Sequence, residues 1–407
     1  MTDTPSRLPL AGIRVVEFVH MVMGPTCGLV LADLGAEVIK VEPVPDGDNT
    51  RRLVGSGAGF FVNFNRNKKS LAVDLKTPAG RAVIDRLIAT ADVVTENFRP
   101  GAMARLGLDA DTLRARHPRL IYVSHKGFLD GPYQDRTALD EVVQMMGGLA
   151  YMTGPPGRPL RAGTSVNDIM GGMFAAIGVL AALFERRDSG RGKLVRSALF
   201  ENCAFLMSQH MAALGVTGTA LPPMSVRVAA WGIYDVFETA DGRQVFFSVV
   251  TDSQWAAFCA AVGWQTQFSD PALKTNPQRV AARPTLIPQV SALLRGMTSD
   301  AVIAMAERAG LPYAPIARPE DLFTDPHLVG SGGLAETALP GGGSVALPLL
   351  PLDLDGARLP KRLDPPALGA QSAEILAGLG YMPAEIAALA HDGAIVIASP
   401  ETTENPR

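Results

Sequence analysis

The chain has 407 residues, 47% hydrophobic and 19% charged, enough for two or three domains and too apolar to stay disordered. Its 37 Lys plus Arg against 40 Asp plus Glu give a net charge of −3, without the basic footprint a nucleic-acid binder needs. Three scattered cysteines, Cys27, Cys203 and Cys259, build neither a disulfide framework nor a zinc set, and the N-terminus lacks the apolar core of a signal peptide, so a reducing cytoplasm is expected.

In chain order, Ile13 to Val19 reads as a buried strand, and Gly24-Pro25 opens a helix that runs through Leu34 to a stop at Gly35. Strands are predicted at Glu37 to Glu42, Leu71 to Asp74, Asp92 to Glu96 and Leu120 to Ser124, with a helix over Gly80 to Ala89. This alternation predicts an α/β fold: a doubly wound parallel sheet with helices on both faces. Asp140 to Met146 and Ile169 to Phe184 read as helices. The second is apolar nearly all round, which predicts burial at a domain or subunit centre, and it is too short and too rich in Gly and Ala for a membrane span. Ile233 to Glu238 and Gln244 to Val249 flank Ala240-Asp-Gly-Arg243 as a hairpin, followed by helices near Ser253–Val262 and Thr285–Leu294. The Gly- and Pro-rich stretch from Gly330 to Pro366 predicts a long, mostly extended connection, and Ser372 to Leu389 a helical segment returning to the first domain. The expected division is therefore 1–219 for a large domain, 220–326 for a smaller α+β domain and 327–407 for the connection and returning segment.

A βαβ opening invites a nucleotide, and Glu42 ends the second strand where a ribose-binding acid would sit. Yet the first turn, His20 to Gly28, lacks G-x-G-x-x-G, and the chain has neither a P-loop nor a G-x-S-x-G elbow. The six histidines are scattered, none three or four residues from another, so no metal site is expected. Cationic segments recur at strand ends: Asn65-Arg-Asn-Lys-Lys-Ser70, either a solvated turn or a phosphate contact, then Glu96-Asn-Phe-Arg-Pro-Gly101, then Arg105. Together they suggest a polyphosphate ligand. Asp168 stands just before the apolar helix; it is either the helix cap or a carboxylate held ionised by the helix dipole and able to act as a nucleophile or base.

These same segments carry a family likeness. Leu10-Ala-Gly-Ile-Arg-Val-Val-Glu-Phe18, Asp33-Leu-Gly-Ala-Glu-Val-Ile-Lys-Val-Glu-Pro43, Asn65 to Ser70, Glu96 to Gly101, the Asp168 segment and Leu368-Gly-Ala-Gln-Ser-Ala-Glu-Ile-Leu376 resemble the class III CoA-transferases, in order and over nearly the whole chain. The resemblance implies a Rossmann-like large domain, a smaller domain and two interlocked subunits. It implies no permanently bound cofactor, with coenzyme A and acyl-CoA as substrates beside a small carboxylic acid. It makes Asp168 the catalytic aspartate and places His20, Val22, Lys69, Leu71, Asn97, Phe98, Arg105 and Asp140 along bound CoA, with backbone N–H groups near Asp168 stabilising oxyanions.

Departures narrow the activity. The family's racemases carry a histidine where this chain has Leu139, and racemisation needs bases on two faces of the α-carbon. Formyl-CoA transferases carry a glutamine in place of Val22, and a glycine run that is absent between Leu214 and Trp231. The expectation is transfer of CoA from succinyl-CoA to a C4 or C5 dicarboxylate such as itaconate, mesaconate or citramalate, the acceptor carboxylate meeting His20, Arg136 or Arg227. A racemase and an inert acyl-CoA binder are the alternatives.

Overall fold

The structure is a computed structural model that describes residues 8–226 and 229–398. Arg227, one expected carboxylate partner, lies outside the described residues. Two compact units emerge: one formed by the chain up to Ser225 and again from Pro326 onward, the other by Val226–Asp325.

In the first unit the β-branched runs become β1 (Arg14–Phe18), β2 (Glu37–Glu42), β3 (Lys68–Val73), β4 (Val93–Glu96), β5 (Ile121–Lys126) and β6 (Leu194–Ala198). They pair in parallel in the order β3-β2-β1-β4-β5-β6, with Ile395–Val396 added antiparallel beside β3 as a seventh strand. Strand order reverses between β1 and β4, and the carboxyl ends of these two strands form the crevice where doubly wound sheets bind ligands.

Alternation along each strand feeds two cores. Val16, Phe18, Ile39, Leu71 and Val73 face one side, covered by Val83, Ile84 and Leu87 of the helix Pro78–Ala89 and by Ile375, Leu376 and Ile386 of the returning segment. Val15, Val38, Val93, Ile121 and Val123 face the other, covered by α1 (Met23–Asp33) and by α4 (Val166–Ser189); between them in the chain lie α2 (Pro78–Ala89) and α3 (Asp140–Met146). Helix α5 (Leu199–Thr217) follows β6 directly. Close packing of α4 on α1 depends on Gly172, because a Cβ there would meet Thr26 Cβ at 2.5 Å.

Three expectations need correction. Helix α4 is longer than the apolar span in the sequence and, by length and composition alone, passes for a membrane-spanning helix. Within the single chain Ala175, Ala176, Val179 and Ala182 pack on the sheet side, whereas Met173, Ile177 and Phe184 are exposed, so the domain core covers one side of the helix. The connection after Gly330 is extended but paired into hairpins, Leu334–Ala338 with Ser344–Pro348 and Asp353–Leu354 with Ala357–Arg358. The returning segment is two helices, Ser372–Gly378 and Pro383–His391, broken at Gly380, whose φ of 84° no other residue adopts cheaply.

In the second unit the hairpin Ile233–Glu238 with Gln244–Val249 forms as predicted, and Tyr313–Pro315 adds a third antiparallel strand. Phe247, Trp255, Phe258, Leu286, Val290 and Val302 make its core. The helix Asp252–Val262 starts with a Thr251–Gln254 capping box.

Candidate active site

At the carboxyl end of β1 the chain turns sharply: Met21 has φ 64°, a left-handed conformation that costs a non-glycine residue energy. Asn97, just beyond β4, holds this turn. Its Nδ2 donates to His20 O at 2.7 Å and its Oδ1 accepts from His20 N–H at 3.0 Å, spanning the reversal in strand order. Phe98 follows with its backbone N–H on Glu96 Oε2 at 2.9 Å, and its ring lies 5.6 Å from the His20 ring. Burial lowers the His20 pKa, helped by Lys40 and opposed by Asp48 and Asn97, which leaves a neutral imidazole at the crevice.

A cleft of about 620 Å³ opens here, and His20, Asn97, Phe98, Arg105 and Arg136 all line it. Arg99 and Lys126 add two more cations against Asp135 alone, a charge balance suited to a polyphosphate. A smaller hollow of about 230 Å³ is also lined by His20 and Phe98. The larger cleft is also lined by Leu139, an exposed residue and the last before α3, whereas Asp140 and Asp168 are not among its lining residues.

The next residue, Asp140, turns inward and leads to Asp168. Its Oδ2 accepts N–H groups of Asn167 at 2.8 Å and Asp168 at 3.1 Å, in the first turn of α4. Asp168 is thus not the cap: it is the third residue of α4, Ser165 at the cap position makes no capping bond, and the capping carboxylate comes from another helix. Two of the backbone donors expected to serve oxyanions are therefore already occupied. Burial, then the neighbouring Asp140 charge, raise the Asp168 pKa to about 7, with Arg161 pulling the other way. With Asp168 as the nucleophile the resemblance implies, only the carboxylate would attack a carbonyl, and turnover should fall as pH drops through about 7 and level off above it. A rate profile flat from about pH 5.5 to 8.5 would contradict this assignment.

Other expected contacts do not converge on the cleft. Lys69 pairs with Glu37 at 2.8 Å and Glu374 at 2.7 Å, near the opposite ends of the strands. Leu71 is fully buried in the sheet core, and Val22 packs against Leu29 and Phe64. The basic turn is neither solvated nor open to phosphate, since Arg66 pairs with Asp33 at 2.7 Å and Lys68 with Glu17 at 2.9 Å, all four side chains buried. Glu42 is likewise spent, on Arg51 at 2.7 Å and the Ser70 hydroxyl at 2.7 Å. These ions underlie the crevice: Lys40 reaches Asp48 at 2.8 Å and Val19 O at 2.7 Å, directly behind His20. Sequence reasoning missed Gln144, whose side chain is fully buried between Asp140 and Ala162; a lone glutamine inside a short helix carries no motif to find it by.

Residues 10–372 match the model of CoA-transferase family III, and the chain belongs to that family. It is an enzyme of the CoA-transferase type. It is 36% identical to a succinate–glutarate CoA-transferase of Agrobacterium fabrum over 93% of this chain and 98% of that protein. It is 34% identical to a succinyl-CoA–D-citramalate CoA-transferase of Chloroflexus aurantiacus over 79% of this chain and 81% of the relative. Among solved structures, a CaiB/BaiF family protein from Brucella suis superposes with a TM-score of 0.80 at 32% identity, covering 92% of this chain and all of that one.

Proposed function

We propose that the protein moves CoA from succinyl-CoA to a dicarboxylic acid of four or five carbons, such as glutarate, citramalate, mesaconate or itaconate, through an aspartyl-CoA thioester on Asp168. The observation that carries this reading is the cationic cleft at the strand-order reversal, which Leu139 lines just before the chain reaches Asp140, whose carboxylate accepts the Asp168 N–H. Relatives named for succinyl-CoA with glutarate and D-citramalate support the donor and acceptor class.

CoA phosphates would meet Arg99, Arg105, Lys126 and Arg136, leaving the thioester directed to Asp168. An Asp168 oxygen attacks the donor carbonyl, the C–S bond breaks, and the thiolate leaves behind a mixed anhydride. The thiolate then attacks the aspartyl carbonyl and releases the donor acid as its carboxylate. The acceptor carboxylate repeats both steps in reverse, so no acyl bond is lost to water. Leu139 offers no proton, which supports transfer over racemisation.

The exposed apolar stripe of Met173, Ile177 and Phe184 on α4, with Phe205, Met211 and Val216 on α5, supports a homodimer, in which the long connections allow the subunits to interlock. Three free, buried cysteines suit a cytoplasmic location. The test is to supply succinyl-CoA with each candidate acid and separate the products. Formation of succinate together with a new acyl-CoA for at least one dicarboxylate is expected; succinyl-CoA consumed only in the presence of monocarboxylates would overturn the acceptor class.

A further inference from the structure

Gln144 is fully buried, and both ends of its side-chain amide are in use. Nε2 donates to Asp140 Oδ1, and Oε1 accepts from Ala162 N–H at 2.7 Å. Asp140 Oδ2 in turn takes the Asn167 and Asp168 N–H groups. An unbroken line of hydrogen bonds therefore runs from the loop ahead of α4, through α3, into the turn that bears Asp168.

A carboxylate across helix N-terminal donors is favourable in itself. Its consequence for Asp168 is the opposite. Asp140 takes up donors that would otherwise favour a charge on the third residue of α4, and sets a like charge beside it. Of the other charged groups, Arg161 in the preceding loop favours the carboxylate and pairs with Glu141 of α3 at 3.5 Å, and Cys203 on α5 is a neighbour of Asn167 and Asp140.

We propose that Gln144 is a positioning residue for CoA transfer: by holding Asp140 across the start of α4, it makes a charge on Asp168 costly and so favours conversion of that side chain to the neutral aspartyl thioester. The inference rests on Asp168 being the nucleophile. Its charge balance is simple. Asp168 begins as a carboxylate, its oxygen bonds to the donor carbonyl carbon, and the C–S bond breaks to release the thiolate. Thiolate attack on the aspartyl carbonyl breaks its bond to the bridging oxygen, and the negative charge leaves with the donor acid. The pocket beside Asp140 sheds one charge and the solvent gains it, with no proton moved.

The experiment compares wild type, Gln144→Met and Asp140→Asn, each with succinyl-CoA and succinate. Gln144→Met keeps the side-chain length and removes both hydrogen bonds; Asp140→Asn keeps an acceptor for α4 and removes the charge. Two quantities are read: the midpoint of the acid limb of turnover, and the ratio of CoA-thioester to free enzyme at equilibrium by intact mass at about pH 8. Both variants should lower the midpoint by about one unit and the ratio by up to about tenfold. A lower kcat with the midpoint and ratio unchanged in both would reduce Gln144 to a packing role and overturn the proposal. A shift in Asp140→Asn alone would assign the charge effect to Asp140 and overturn the part given to Gln144. If Gln144→Met does not fold, an unshifted Asp140→Asn still overturns the proposal, because Gln144 acts only through Asp140. Absence of any thioester on wild type would instead count against Asp168 as nucleophile, a separate failure.

Discussion

Asp168→Asn should abolish CoA transfer, by roughly a thousandfold or more in kcat, while CoA still binds. The amide keeps the shape of the carboxylate but does not attack a thioester, and the cleft cations proposed to meet the CoA phosphates, Arg105 and Arg136 among them, lie on other elements. The fold should be untouched, because the first turn of α4 is capped by Asp140 and not by Asp168. Kinetics would show the loss, and titration with CoA would show affinity within a few-fold of wild type. Retention of even about a tenth of the wild-type rate would place the nucleophile elsewhere.

Lys68→Met should be among the most destabilising single changes in the large unit. Lys68 Nζ lies 2.9 and 3.1 Å from the two Glu17 oxygens, 2.9 Å from Pro25 O and 3.2 Å from Asn65 Oδ1, in a place with no solvent. Burial lowers its pKa to about 8, with Glu17 acting against the shift. Removing it leaves Glu17 with Lys40 at 3.9 Å as the other cation near it, and breaking a buried pair from one side costs about 3–5 kcal/mol. Adding Glu17→Leu should recover most of that, since desolvation of the orphaned carboxylate is the larger part of the cost. Urea unfolding of both variants checks this; a loss below about 1 kcal/mol for Lys68→Met would mean the pair behaves as if exposed. The same cluster explains Gly28, where a Cβ would sit 1.9 Å from Glu17 Oε2.

The sheet was largely legible, because its strands are β-branched runs buried on both faces and bounded by turn residues; β2 and the hairpin of the second unit match residue for residue. Pairings that depend on distant contacts were not. Ile395–Val396 becomes a strand only because β3 leaves an edge open to it, and nothing local marks so short a segment. In the site, segments at strand ends were readable as cationic, but charge in a sequence does not tell a ligand contact from a buried ion pair. Arg105 lines the cleft, whereas Lys68 and Arg66, just as basic on paper, are buried on Glu17 and Asp33. Asp168 was legible as standing at the start of the apolar helix, but the cap reading of it does not hold: the carboxylate that caps α4 comes from 28 residues earlier.

The most direct test is the intact mass of the purified protein after brief incubation with succinyl-CoA alone, followed by peptide mapping. A CoA-sized addition on the peptide containing Asp168, absent from Asp168→Asn, is the result expected of a transferase that works through an aspartyl thioester. An unmodified protein that instead moves solvent deuterium onto the α-carbon of a branched acyl-CoA would contradict that chemistry.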